Sequence, residues 1–484
     1  MSSSIRTFRL SDVASKFADY PAIISQNGII AYPDYVSLVN TVSRNLKEMG
    51  FGAGDRIGIF SANSFEYIVL LLAIFGIKAV AVLLNTRLPL NQVLNALDEV
   101  DCRAVFYSNK NFEKQKLGEI DSYDINEITS SLAGSNHIGA EEEIALDQDA
   151  TIVFTSGSTS NPKAVLHTFG NHFYSALGSN LNIPFDTGDK WLLSLPLYHV
   201  GGLAIVFRAL INGGAVITTE ERMHLLDSMA KFQPTHISLV ATQLYRLLKE
   251  NTAIGILQRM KAILLGGSAI PPLLARESIK HQLSIFTSYG STEMASQITT
   301  TRPGDNTQKL FTSGRLLNNR QLKISADGEI LVKGDTLFKG YVQRNGIKSS
   351  LTADGWFPTG DMGRLDGEGY LTVTGRKDNM FVSGGENIQP EEIEQELNEI
   401  QGVKEAIVVQ VKNEEYGERP VAFIDIEGEF PGDVFFQGYL DGKIARFKIP
   451  DHFFPMPEDQ LKSGIKAERS LLKKRAEALV ADIS

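Results

Sequence analysis

Short apolar runs rich in β-branched residues recur in the chain before Thr300, each beside a stretch long enough to coil into a helix. They lie at residues 56–60 (RIGIF), 104–108 (AVFYS), 215–218 (AVIT), 236–240 (HISLV) and 261–267 (KAILLGG). Strands of this kind, buried on both faces and alternating with helices, belong in a parallel sheet covered on each side. That alternation predicts an α/β fold with a large layered N-terminal body. The most apolar run, residues 67–84 (YIVLLLAIFGIKAVAVLL), approaches the length of a membrane span. Gly76 and Lys78 divide it into a helix-like half and a β-branched half, and NTRLP follows at once. It reads as a buried helix feeding a core strand, with no membrane span expected.

After Thr300 the texture changes to short alternating strands and turns (GEILVKG, DGWFPTGD, EGYLTVTG), punctuated by Gly328, Gly334, Gly355, Gly360, Gly367 and Gly369. A β-rich subdomain is predicted at about residues 301–375. From Arg376 the pattern restarts. Pro390 opens an amphipathic helix with Glu391 and Glu392 in its first turn and Ile393, Leu397 and Ile400 at helical spacing. Strands at 406–411 and 421–426 follow, and Lys443, Arg446, Lys448, Lys462, Lys466 and Arg469 gather in the tail. This is a small α+β domain. With 484 residues, two or three units are expected at about 150 residues each.

The net charge, 47 − 57 = −10, gives no long-range attraction to nucleic acid or anionic lipid, so any polyanionic ligand must be held by a local site. The single cysteine, Cys102, allows neither an internal disulfide nor a cysteine metal site, and the cytoplasm is the expected compartment. The opening MSSSIRTFRLSDVASKF lacks the apolar block of a secretory signal and reads as the start of folded protein.

Residues 151–165 (TIVFTSGSTSNPKAV) carry the strongest chemical signal. A predicted strand opens into a run containing Thr155, Ser156, Gly157, Ser158 and Thr159 and closed by Lys163. Hydroxyls and free backbone N–H groups can wrap phosphate oxygens, and the lysine adds charge. It is not a Walker A loop, because no second Gly-Lys pair follows Gly157. Taken alone, the stretch also reads as a polar surface loop.

TSGSTSNPKAV resembles the phosphate loop of the adenylate-forming superfamily, the acyl-CoA ligases, luciferases and peptide-synthetase adenylation domains. Ser160 and Ala164 stand where that family usually has glycine. SYGSTEMAS (288–296) resembles the family's adenine and magnesium motif, WFPTGDMGRLDGEGYL (356–371) its ribose motif and GRKDNMFVSGGENIQPEEIE (375–394) its interdomain hinge. The motifs occur in the family's order and the resemblance covers the whole chain. It implies an N-terminal AMP-binding domain (1–377) and a mobile C-terminal domain (379–484) swinging about Asp378.

The resemblance also assigns roles. ATP would be held by the loop residues Thr155 to Thr159 and Lys163, by Gly267 and Ser268, by Tyr289 (ring face to adenine) and Gly290, and by Asp361 and Arg376 at the ribose. A carboxylate suits a ribose diol because it accepts both hydroxyl protons. Thr292 would reach the α-phosphate, and Glu293 is a hard oxygen ligand for Mg²⁺. Gly384 and Gly385 would admit the pantetheine arm of coenzyme A. The family's catalytic lysine falls on Lys466 in KSGIKAERSLL, where Lys466 and Arg469 keep the K-x-x-R spacing and Ile465 is one extra residue; Lys462 is the rival. Taken singly, a surface acid or a packed tyrosine is the plainer reading of such residues.

LPLYHVGGLAIVFRALINGG (195–214) resembles the family's gate segment, with His199 between the acid and thiol pockets or, alternatively, a satisfied core histidine. Arg208 is a lone charge in LAIVFRAL, costly unless paired. It would bond either a structural acid or a second carboxylate of the substrate. HTFGNHFYSALGSNLNI (167–183), LLNTRL (83–88), ILLGGSAIP and an arginine nine residues after His199 are most similar to the o-succinylbenzoate:CoA ligases. That resemblance implies o-succinylbenzoate + CoA + ATP giving o-succinylbenzoyl-CoA + AMP + pyrophosphate, in menaquinone biosynthesis. Ser238 would line the acid pocket or serve as a buried strand serine. A ligase for another aryl or medium-chain acid, and a freestanding module loading a carrier protein, are the alternatives. A non-catalytic nucleotide binder would more plausibly have lost Lys466 or Glu293. Expected partners are the small carboxylic acid, ATP and CoA; a homodimer is admitted as an assembly state.

Overall fold

The computed structural model describes residues 6–108, 120–130, 143–155, 162–220, 222–267, 270–461 and 468–483. The chain divides into two compact units. One comprises Met1–Ser268, His281–Leu322 and Val332–Phe357; the other comprises Ala269–Lys280, Lys323–Leu331 and Pro358–Ser484.

The run at residues 67–84 becomes a helix, Phe65–Gly76, and a strand, Val80–Leu83. Ser64 caps the helix by accepting from the Tyr67 amide, and Lys78, at φ 61°, makes the turn into the strand. Every residue from Tyr67 to Phe75 is fully buried, as a helix apolar on all sides must be. Among the described residues no helix is long and apolar enough to cross a membrane.

The apolar runs form strands as expected, but they distribute over two sheets. In one, Asp149–Thr155, Val80–Leu83, Arg56–Phe60, Ala104–Tyr107 and Asp121–Asp124 lie parallel in that order. Its other side continues antiparallel from Asp149–Thr155 through Lys163–Thr168 to Gly340–Gln343. In the second, Ile285–Ser291, Ala262–Leu265, His236–Leu239, Lys190–Leu192, Ala215–Ile217 and Pro21–Ser25 are parallel. Ser296–Thr300 returns antiparallel beside Ile285–Ser291. Side chains at the carboxyl ends of such strands are where α/β folds place ligands. Thr155, Gly267 and Tyr289 all sit at such ends.

The second unit is built on the long hairpin Val403–Asn413 with Gly417–Ile426, flanked by Phe381–Ser383, Glu386–Ile388 and His452–Pro455. Pro390 starts the helix Pro390–Leu397, and Ile393 and Leu397 enter a core with Ile388, Val408 and Phe436. Ile400 is buried in the turn after that helix. Strands Phe357–Leu365 and Leu371–Arg376 pair antiparallel. The strands anticipated for a β-rich subdomain are present, and their residues divide between the two units.

Candidate active site

In the first unit strands Asp149–Thr155 and Lys163–Thr168 pair antiparallel. Thr155 and Lys163 face each other across the mouth of that hairpin. Ser156, Gly157, Ser158 and Thr159 lie outside the described residues, as does Ser268. The Lys163 ammonium stands 5.2 Å from the centre of the Tyr341 ring. The Tyr341 hydroxyl donates to Glu293 Oε1 at 2.8 Å. Tyr341 reaches both because Gly340–Gln343 pairs with Lys163–Thr168, setting Tyr341 opposite Val165. A basic group and an oriented carboxylate thus both contact the same tyrosine side chain.

Thr292 and Glu293 occupy a single 3₁₀ turn, Thr292–Met294, between Ile285–Ser291 and Ser296–Thr300. Tyr289 and Gly290 stand at a register shift just before it. A β-carbon on Gly290 would lie 2.1 Å from the Ser296 carbonyl oxygen, so only glycine allows this close approach. Glu293 Oε2 has no partner among the described residues, and these hold no group of three or more His, Cys, Asp or Glu that could cage a metal. A single carboxylate suits Mg²⁺, which takes the rest of its shell from water and phosphate oxygens.

Arg208 is 1% exposed, in the helix Val200–Asn212. Its guanidinium stacks 4.8 Å over Trp191, and Nη2 donates to Gln297 Oε1 at 2.6 Å. Nε and Nη1 are buried without a hydrogen-bond partner, and no carboxylate among the described residues pairs with it. Burial pushes its pKa down to about 9, which leaves it cationic at neutral pH. Ser238 is buried beside it in the sense that its Oγ accepts from Trp191 Nε1 at 3.1 Å. His199 precedes the same helix as its N-cap residue, exposed, with the Tyr198 ring 4.7 Å away. Surrounding protein still crowds its ring enough that desolvation, then the Arg87 cation, holds its pKa below the ordinary histidine value.

In the second unit Asp361 and Arg376 are cross-strand partners, joined Oδ1 to Nη1 at 3.0 Å. Arg376 Nη1 also donates to the Thr359 carbonyl at 3.0 Å, which fixes the guanidinium against the strand. Asp378 is exposed and lies 3.4 Å from Arg376 Nη2. Gly384 and Gly385, at φ 57° and 89°, are the two central residues of the hairpin joining Phe381–Ser383 to Glu386–Ile388. A two-residue turn with both φ positive is a local reason for this glycine pair. Lys462 and Lys466 lie outside the described residues. Arg469, at the start of the helix Arg469–Ile483, is bound to Glu394 at 2.6 Å.

Tyr341, Trp191 and Gln297 escaped the sequence reading. Each acquires its place by pairing with a residue distant in sequence, and no local motif marks it.

A family model described as AMP-binding enzyme matches residues 10–342. The 2-succinylbenzoate–CoA ligase of Oceanobacillus iheyensis is 36% identical over 446 residues, covering 89% of this chain and 92% of that protein. Among solved structures, o-succinylbenzoate CoA synthetase from Bacillus subtilis in complex with the acyl-adenylate intermediate OSB-AMP superposes with a TM-score of 0.84 at 30% identity, covering 96% of this chain and 100% of that one. The same enzyme in complex with ATP and magnesium ion gives 0.83 at 31% identity, with coverages of 93% and 96%. With most of its length matched by that family model and its relatives aligned nearly end to end, the chain belongs to the AMP-binding enzyme family.

Proposed function

We propose that the chain is an AMP-forming acid:CoA ligase whose acid is o-succinylbenzoate. A carboxylate oxygen of the acid attacks the α-phosphorus of ATP, giving the acyl-adenylate and pyrophosphate. The thiol of CoA then attacks the acyl carbon, and AMP leaves. The reading of the substrate rests on Arg208: a buried cation with two unpartnered donor atoms and, among the described residues, no carboxylate partner is a site for an anionic group of the substrate. A dicarboxylic aromatic acid brings that group, with one carboxylate held by Arg208 and the other left to react. The ring stack of Arg208 on Trp191 fixes the guanidinium plane.

Lys163 and Thr155 serve the phosphates, Thr292 the α-phosphate and Tyr289 the adenine. Glu293, steered by the Tyr341 hydroxyl, holds Mg²⁺, which when bound neutralises phosphate charge. Asp361 takes the ribose hydroxyls, with Arg376 beside it. Lys466 bridges the substrate carboxylate and the α-phosphate as charge builds there. Asp378 is the hinge, His199 the gate, and Gly384 and Gly385 the pantetheine contact. The domains divide at that hinge, and the lone Cys102 agrees with a cytoplasmic setting.

The test is ATP-dependent and CoA-dependent AMP release over a panel of acids, run with wild type and Arg208→Ala. Wild type is expected to prefer o-succinylbenzoate. Arg208→Ala is expected to raise KM for it about thirtyfold, equivalent to about 2 kcal/mol, and to spare a monocarboxylate analogue. Equal effects on both acids would remove the dicarboxylate reading.

A further inference from the structure

The turn that carries Thr292 and Glu293 is strained. Ala295 and Ser296, directly after it, hold φ angles of 51° and 116°, rare for residues with a side chain. Carbonyls of the turn and of the residues after it are gripped from other elements. Phe338 N donates to the Glu293 carbonyl at 2.8 Å, Ser175 Oγ to that of Ala295 at 2.8 Å, and Arg320 Nε to that of Gln297 at 2.6 Å. The Thr292 carbonyl is taken by His167 Nε2 at 2.7 Å.

That last contact fixes a chain of protons. A carbonyl only accepts, so Nε2 of His167 carries the hydrogen and Nδ1 is an acceptor. Thr151 Oγ1, 3.3 Å from Nδ1, therefore gives its proton to His167 and must itself accept from His172 Nε2, 2.7 Å away. Thr151, His167 and His172 are each 2% exposed or less, so water does not compete for these groups. Burial also keeps both rings neutral, as the chain requires. The His172 ring lies stacked on Phe207, 4.9 Å away, which anchors the start of the chain.

We propose that His167 is a positioning residue for adenylation: oriented by Thr151 and His172, it holds the Thr292 carbonyl and so sets the Thr292 hydroxyl and the Glu293 carboxylate. The proposal rests on the ligase reading above. A histidine that only filled the core would affect both half-reactions alike, whereas a positioning residue affects the one that uses the turn.

The experiment compares wild type, His167→Ala, His167→Gln and Thr151→Val. It reads pyrophosphate release, thioester formation from preformed acyl-adenylate, and the Mg²⁺ dependence of ATP binding by calorimetry. His167→Ala is expected to lower kcat for pyrophosphate release about a hundredfold, with KM for the acid and the second half-reaction little changed. The Mg²⁺ needed for half-maximal ATP binding should rise about tenfold. His167→Gln, whose amide can donate to the same carbonyl, should recover much of the loss. Thr151→Val should show the same split at smaller size, and it carries the test if His167→Ala does not fold. Equal loss in both half-reactions, a glutamine variant no better than alanine, or no loss in any variant would overturn the proposal. Wild type that releases no pyrophosphate with any acid would instead sink the ligase reading itself, and the proposal with it.

Discussion

Glu293 has one carboxylate oxygen occupied by the Tyr341 hydroxyl at 2.8 Å, and among the described residues the other has no partner. A hydroxyl that holds one oxygen decides where the second points, and ligand orientation of this kind tunes metal affinity. Tyr341→Phe keeps the ring beneath Lys163 and deletes only the donor. The expected result is about a tenfold rise in the Mg²⁺ requirement of adenylation, with the thermal midpoint little changed, checked by Mg²⁺ titration of pyrophosphate release and by calorimetric melting. Thr292 and Glu293 were singled out as candidates in the sequence because STEM sits in a recognisable local pattern. Tyr341 was not, because its role comes from a strand pairing that joins residues far apart. Arg208 stands between these cases: its oddity was visible as a charge in an apolar run, but whether an acid answered it required the neighbours to be known.

Helix Pro390–Leu397 and helix Arg469–Ile483 meet the same strand, and Arg469 joins them by ion pairs to Glu394 and Glu391. Glu394 Oε1 accepts from the Val408 amide at 2.7 Å, while Arg469 Nη1 donates to the Val408 carbonyl at 2.5 Å. The two charges bracket the backbone N–H and C=O of a single residue, Val408, in the central hairpin. Glu394 holds the Arg469 guanidinium above its ordinary pKa, so the cation is firmly kept. Removing one partner of a buried pair leaves the other desolvated and unanswered. Arg469→Ala is therefore expected to destabilise this unit by about 3 kcal/mol, read as earlier denaturant unfolding and faster hydrogen exchange in Val403–Asn413. A small loss with unchanged exchange would contradict that. Pattern alone gave the helix its start, since Pro390 and the acids after it favour an N-terminus, and it gave the strands their approximate limits. It assigned Arg469 only a place in a K-x-x-R spacing; the buried clamp came from packing.

Across the whole molecule, burial leaves several histidines unable to take a proton. His167 and His236 are pushed from the ordinary 6.5 down to about 4, in each case chiefly by desolvation, and burial lowers His172 in the same direction. Between these values the unfolded chain binds protons that the folded chain refuses, so stability is intact at neutral pH and falls as pH drops from about 6.5 toward 4. Each group contributes a slope of up to about 1.4 kcal/mol per pH unit within that window. Chemical denaturation at pH 7.0, 6.0 and 5.0 should show this decline, and His236→Gln, which removes one titrating ring, should flatten it. An unchanged slope would place the acid sensitivity elsewhere.

What the sequence by itself determined is what depends on near neighbours along the chain. This covers the alternation that demands a parallel α/β body, the buried helix feeding a strand at residues 67–84, and the ordered motifs that resemble adenylate-forming enzymes. What only the tertiary structure decided is what depends on partners distant in the chain. The apolar runs part into two sheets, because apolar periodicity says that a strand is buried and not which strand lies beside it. Among the described residues Arg208 pairs with no acid, the Tyr341 hydroxyl donates to Glu293, and His167 holds the Thr292 carbonyl. Hydrogen bonds and charge pairing act through space over a few ångströms, so their partners are set by the folded chain and carry no mark in the local order of residues.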